Sequence, residues 1–203
     1  MKLFSYVVQH DTGYAPNPYF GICTLCRCKY RKPSKKQRNI VELAERRHWV
    51  IGTGGADKGK SPGHGKLVYA MRVDEKLTRE EYYADPRFAE KKPVKSGTYE
   101  QRRGDNKRPR TPFERREQFA LISRHFYYFG AKAIDIDKKQ FPNLEKTGPA
   151  FRCDFDEKYI SRFVKWLEKG HKTGKHGEPC VKDERNSERR GRERCKSSCF
   201  ESA

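Results

Sequence analysis

The sequence predicts an α+β domain: a small mixed or antiparallel, barrel-like sheet with inserted helices and a helix near the C-terminus. Strand-like segments recur far apart, at residues 2–11, 49–55, 66–73 and 119–130. Helix-periodic segments lie between and after them, at 39–48 and 156–170. At 203 residues the chain suits one domain with an appended tail. Strands that must pair across inserted helices need that architecture.

The elements follow in order. "KLFSYVVQHD" (2–11) alternates aromatic and aliphatic residues and runs into Asp11-Thr12-Gly13, so it reads as a core strand. "TGYAPNPYFGIC" (12–23) is a Pro/Gly/Asn loop whose X-Pro steps hold the preceding residues extended. Asn39 stands three residues before Glu42, the spacing of a capping box, and Ile40, Val41, Leu43 and Ala44 supply the apolar stripe of a short helix. "HWVIGTGG" and "GKLVYAMRVDE" are two strands joined by the turn formers of "ADKGKSPGHG". Thr78 caps a helix over "REEYYADPRF" that Pro86 interrupts, and 91–118 reads as a long basic surface loop. "FALISRHFYYFG" (119–130) is a strand region ended by Gly130, and "AIDI" (133–136) is a short strand. Tyr159, Ile160, Phe163, Val164 and Leu167 share helical spacing, with Gly170 as the stop. This divides the chain into a domain over 1–150, a packing helix over 151–170 and a basic, disordered tail over 171–203.

Composition narrows the function. The hydrophobic fraction is 34% and the charged fraction 36%, so twelve Phe and eleven Tyr must supply much of the core. No apolar run approaches the roughly 18–20 residues of a membrane span, and the N-terminus lacks a secretory pattern, which predicts a cytoplasmic protein. The seven cysteines are then expected as thiols. The net charge of +19 is localised: residues 29–48, 91–116 and 165–196 carry +6, +7 and +5. Such clustering suits a polyanion, because each neutralised phosphate releases counterions.

"GGADKGKS" (54–61) matches the literal spacing of a phosphate-binding loop. A real one opens directly into a helix, whereas here Pro62, "GHG" and a strand follow. A loop between two strands is the better reading.

"MKLFSYVVQHDTGYAPNPYFGICTLCRCK", "WVIGTGG", "GKLVYAMRV", "EEYYADPRF", "GDN" and "LISRHFYYFG" occur in the order of one bacterial and phage family. On these motifs, over residues 1–136, the chain resembles the nucleotide modification associated domain family, second type. The resemblance implies a setting in DNA base modification and supplies no reaction. The "GTGG" and "VYAMRV" strand pair also resembles PUA-like folds (EVE, ASCH and YTH domains), which hold a modified or flipped base in an aromatic pocket. Two positions depart from the family pattern. His48 stands where a Gly-Asp turn is usual, and His125 where an acid is usual.

Candidate residues follow from chemistry. Asp11 offers a carboxylate, Asn17 an amide able to pair with a base edge, and Cys23 a thiol near Lys29. Asp11 and Cys23 are the catalytic candidates, and the competing reading makes Asp11 and Asn17 turn caps and Cys23 a packed thiol. The nucleotide-facing set is Asp11, Asn17, Phe20, Thr24, Lys29, Trp49, Thr53, Tyr69, Asp105, Asn106, Ser123 and Tyr127. Tyr127 and Tyr128 face opposite sides of a strand, so only one can enter a given pocket. Arg31, Lys32, Lys35, Arg102, Arg103, Lys107 and Arg108 are the phosphate candidates. No cofactor is predicted. A structural zinc on "CTLCRC" with Cys195 and Cys199 as the second knuckle, and Cys180 or His176 nearby, is a lesser alternative.

The leading expectation is a domain that recognises a nucleotide or modified base, with nucleic acid (DNA favoured) or a nucleotide as partner, beside proteins of a base-modification operon. The alternatives are an enzyme that modifies the base itself and a basic accessory protein that binds nucleic acid without sequence preference.

Overall fold

The computed structural model describes residues 1–26, 32 and 34–181. In chain order it contains β1 (Leu3–Val8), β2 (Cys23–Leu25), α1 (Ile40–Leu43), β3 (Trp49–Gly54), β4 (Lys66–Arg72) and β5 (Glu75–Thr78). Then come α2 (Arg79–Ala84), α3 (Tyr99–Arg102), α4 (Pro112–Arg116), β6 (Phe119–Ser123), β7 (Phe126–Tyr128) and β8 (Ile134–Asp135). The last elements are β9 (Phe151–Arg152), α5 (Glu157–Gly170) and β10 (Gly174–Lys175).

The fold is α+β, with two sheets. The larger runs β10-β7-β4-β3-β1-β9, with β8 also on β4, and the smaller runs β2-β6-β5. β1 pairs parallel to β3 and β10 parallel to β7, while the other pairs are antiparallel. Among the described residues no pairing joins β9 to β10. The larger sheet therefore stays open, and the expected barrel is not closed. Its two edge strands have only two residues each, too few to continue a ladder around a cylinder.

Strand periodicity sets the layers. Phe4, Tyr6 and Val8 point from β1 into one core with Val50, Tyr69, Met71, Tyr128, α1 and Leu121 of the smaller sheet. Leu3, Trp49, Ile51, Ala70 and Tyr127 point the other way, against Ile160, Phe163 and Leu167 of α5. The far face of the smaller sheet, Ala120 and Ile122, is covered by Tyr82 of α2 and Phe88. Fully burying each large apolar side chain contributes about 1.5–3 kcal/mol, so α5 is held by its inward stripe.

Several expectations are met. Asn39 forms both halves of its capping box with Glu42, and Thr78 does the same with Glu81. Pro86 ends α2, and a 3-10 segment (Pro86–Lys91) follows. The "GTGG" turn joins the antiparallel strands β3 and β4, with no helix after it. Its glycines serve close packing: a Cβ at Gly54 would lie 1.8 Å from the Gly63 carbonyl oxygen, and one at Gly52 would lie 2.5 Å from the Tyr69 ring.

Other expectations need correction. Residues 91–118 are not one loop, for α3 and α4 lie within them, capped by Thr98 and Thr111. Both helices are a single turn without a buried face, so no apolar period announces them. The region 119–130 is two strands in different sheets. The Asp74 carboxylate fixes the corner by accepting from the Arg124 and His125 backbone N–H groups at 2.7 and 3.3 Å. Residues 171–181 return along the larger sheet, where the His176 N–H donates to the Tyr128 carbonyl at 2.7 Å. The Val181 N–H donates to the Asp11 carbonyl at 2.9 Å. Residues 182–203 of the expected tail lie outside the described residues.

Candidate functional site

The loop after β1 is fastened at both ends. Asp11, 1% exposed, accepts the Tyr128 hydroxyl at 2.6 Å and the Cys180 N–H at 3.2 Å. Burial pushes its carboxyl above the usual aspartate range, opposed by the Tyr128 hydroxyl and the backbone N–H groups of Cys180 and Gly13. Asn17 exchanges backbone hydrogen bonds with Thr24, both 2.9 Å, and its Nδ2 donates to the Arg103 carbonyl at 3.2 Å. Its Oδ1 accepts from the buried Lys91 ammonium at 2.6 Å. Burial lowers the affinity of that ammonium for its proton, and the Asp105 charge opposes the effect.

A second buried network lies beside the first. Asp105 accepts the Thr24 hydroxyl and the Tyr82 hydroxyl, each at 2.7 Å. The Cys26 thiol reaches the same carboxylate at 3.5 Å. Asn106 donates from Nδ2 to the carbonyls of Tyr82 and Phe88, both at 3.1 Å. The "GDN" triplet is thus the root that pins the 104–110 segment to α2 and to β2. Gly104 must lack a side chain, since a Cβ there would lie 2.2 Å from the Lys91 carbonyl oxygen.

Between the anchored ends the chain makes an exposed tip. Phe20 and Gly21 both adopt positive φ, +59° and +72°, and the Ile22 N–H closes the turn on the Tyr19 carbonyl. A left-handed phenylalanine costs about 1–2 kcal/mol, and its ring is left 36% exposed. The tip borders a cleft of about 470 Å³ lined by Tyr19, Phe20, Glu100, Arg124, Phe126 and Lys175, among others. Tyr19 packs edge-on to Tyr99 at 6.3 Å, and its buried hydroxyl has no hydrogen-bond partner among the described residues. The Lys175 ammonium lies 5.4 Å from the Tyr19 ring centroid and also pairs with Glu178. Such a cleft offers one free aromatic face, two cations and one carboxylate. That set can stack a planar ring, balance a phosphate and accept from an amino group.

The structure gathers Asp11, Asn17, Thr24, Asp105 and Asn106 into the two buried networks, and places Phe20 on the cleft. The other candidates stand elsewhere. Tyr69 is buried, hydroxyl to hydroxyl with Tyr6 at 2.8 Å. Thr53 donates to the Tyr6 and Lys146 carbonyls, and Ser123 to the His125 carbonyl. Trp49 and Tyr127 pack toward α5, the face opposite Tyr128. Cys23 is fully buried, and burial pushes its thiol up to about 12, so at neutral pH it is protonated and covered. Lys32 and Lys35 are exposed. Arg102 donates to the Gly97 carbonyl, and the Arg103 guanidinium lies over the Tyr99 ring at 5.6 Å. Lys107 and Arg108 are exposed, whereas Lys29, Arg31, Cys28, Cys195 and Cys199 lie outside the described residues.

Of the departures, His48 accepts the Glu45 N–H on its Nδ1 at 3.1 Å, and His125 packs edge-on to Trp49. Among the described residues no group of three or more His, Cys, Asp or Glu could hold a metal, and no helix is long and apolar enough to cross a membrane. Sequence reasoning missed Tyr128 as the Asp11 partner, Lys91 as the Asn17 partner, and the cleft residues Arg124, Phe126 and Lys175. Strand parity was the signal for Tyr128: an Asp11 ligand on β7 must lie on the Tyr69 face. Lys91 carried none, standing in a run of lysines.

No curated protein and no solved structure matches the chain. The family model described as nucleotide modification associated domain 2 matches residues 1–113 and 110–186. That match takes in both networks, the cleft and the returning segment 171–181, beyond the motifs that end at 136. The chain belongs to the nucleotide modification associated domain 2 family.

Proposed function

We propose that the chain recognises a nucleotide within a nucleotide modification system, and that the cleft beneath Phe20 receives the base. The observation that carries this reading is the tip itself. A phenylalanine is held in a strained conformation, at a turn secured by two buried networks, with its ring toward solvent. Strain of this kind persists only where its surroundings enforce it, and it concentrates at ligand sites. Stacking on such a ring contributes about 1–3 kcal/mol per base. Phe126 offers an apolar wall, Arg124 and Lys175 offer charge to the phosphate, and Glu100 accepts from an exocyclic amino group.

In this reading the base is carried in DNA and is modified or unpaired, since a stacked, paired base cannot enter a cleft. Asp11 and Asn17 act by holding the turn. Nothing here depends on PUA-like architecture, because the cleft lies at the β10 edge of an open sheet. The test is fluorescence titration with oligonucleotides carrying plain or modified bases. Phe20→Ala is expected to weaken binding roughly 5- to 100-fold while the fold is kept. Equal binding by wild type and variant would refute the reading.

A further inference from the structure

The lysines and arginines of this chain are not used alike. Arg87 pairs with Glu75 and Asp85, Lys76 with Glu45, Lys66 with Asp135 and Lys138 with Glu145. A different arrangement stands where the 104–110 segment passes α2 and α4. There Lys92, Lys107, Arg108, Arg110 and Arg115 line one cavity of about 630 Å³, with Tyr83 and Asn106. Among the described residues none of these five cations has a carboxylate partner. Glu114, next to Arg115 in the chain, is engaged by Arg79 and by the Arg110 backbone N–H.

The cavity is held rather than incidental. Its floor residue Asn106 is 1% exposed and bonded through Nδ2 to two carbonyls, which fixes the amide's orientation. Its Oδ1 has no hydrogen-bond partner among the described residues. The buried Arg79 donates to the Lys107 carbonyl at 2.7 Å, and Asp105 anchors the preceding residue. Five like charges gathered on a fixed frame repel one another, so the arrangement favours an anionic ligand over an empty site. The Tyr83 ring, under Lys92 at 4.3 Å, adds an aromatic wall.

The cleft holds two cations, each also facing a carboxylate (Arg124 with Glu75, Lys175 with Glu178), so together they serve at most the phosphate of one nucleotide. Five more, in a separate cavity, exceed what a free nucleotide needs. Glu100 of the cleft and Lys107 of the cavity are seven residues apart, so their Cα atoms lie at most about 25 Å from each other. We infer that the substrate is a polynucleotide, and that this cavity binds the sugar-phosphate backbone next to the nucleotide held in the cleft. The inference rests on the nucleotide reading of the cleft and adds to it the surface that binds the strand.

The test compares deoxycytidine monophosphate, whose base carries an exocyclic amino group, with a homodeoxycytidine oligonucleotide long enough to span both sites, titrated over a range of salt. The wild-type chain should bind the oligonucleotide more tightly, with a steep salt slope. The triple variant Arg108→Ala, Arg110→Ala, Arg115→Ala should lower oligonucleotide affinity at least tenfold and leave the monophosphate unchanged. The milder Lys107→Gln, which removes one exposed charge, should reduce the salt slope by about 0.7. Wild-type behaviour in both variants would overturn the inference, as would equal capture of anionic vesicles lost in the same triple variant. If Phe20→Ala leaves oligonucleotide binding intact while the triple variant weakens it, the cleft reading fails and the backbone site stands.

Discussion

Asp11 is a buried acid whose two oxygens are engaged by a phenol and a backbone N–H, and burial raises its proton affinity above the unfolded value of 3.8. The folded chain therefore holds more protons than the unfolded chain just above that pH, and stability falls as pH rises through the window. Asp11→Asn keeps an acceptor for Cys180 and lets the Tyr128 hydroxyl accept instead of donate. The difference in urea midpoint between variant and wild type should shift in the variant's favour from about pH 4 to about pH 7. A difference independent of pH would show that the carboxyl is not perturbed in the fold. At this scale the sequence was informative about residue type and less so about neighbours. Asp11 and Asn17 stand out as polar groups in the Gly/Pro loop after β1, Thr24 as the polar residue of an apolar strand, and Asp105 as a carboxylate in a basic run. Their partners Tyr128, Lys91 and Tyr82 come from other elements, and only tertiary packing pairs them.

Elements with local chemistry were legible for local reasons. Asn39 and Thr78 cap helices because a short polar side chain meets an orphan N–H three residues on, a pattern written in consecutive residues. Thr78→Ala should therefore destabilise the domain by about 1 kcal/mol, read as a shift in denaturant midpoint with unchanged slope. A neutral result would mean that packing of Tyr82 alone holds α2. Elements whose cause is non-local were misread. Residues 119–130 look like one strand because every residue suits one, yet the Asp74 carboxylate, from the link between β4 and β5, bends the chain there. The α3 and α4 turns hid in a basic stretch for the opposite reason, since they carry caps but bury no stripe.

For the whole molecule, the unpaired cations stand apart from the apolar core, whereas Asp11, Arg79, Lys91 and Asp105 are buried in hydrogen-bonded networks. The two sheets and α5 enclose the aromatic side chains, while the unpaired cations of the 104–110 segment gather on a frame fixed by buried groups. Residues 171–181 belong to the frame around Asp11, through β10, His176, Cys180 and Val181. A chain cut after Gly170 leaves Asp11 buried with fewer donors, and its melting temperature should fall by several degrees, about 2–4 °C per kcal/mol lost. A chain cut after Val181 should lose less. Equal melting of the two truncations would remove the segment from the frame. Clustered charge was visible in composition, but the open sheet was not, because closure depends on how far edge strands extend.

The pairing of Phe151 and Arg152 with Ser5 and Tyr6 has a consequence during synthesis. β1 is made well before residues 151 and 152, so its outer ladder is unoccupied while the intervening segments are synthesised. Until they emerge, a nascent chain displays an unguarded apolar ribbon that can add to a neighbour's, so yield from a ribosome should depend on chaperone supply more than the finished protein's stability suggests.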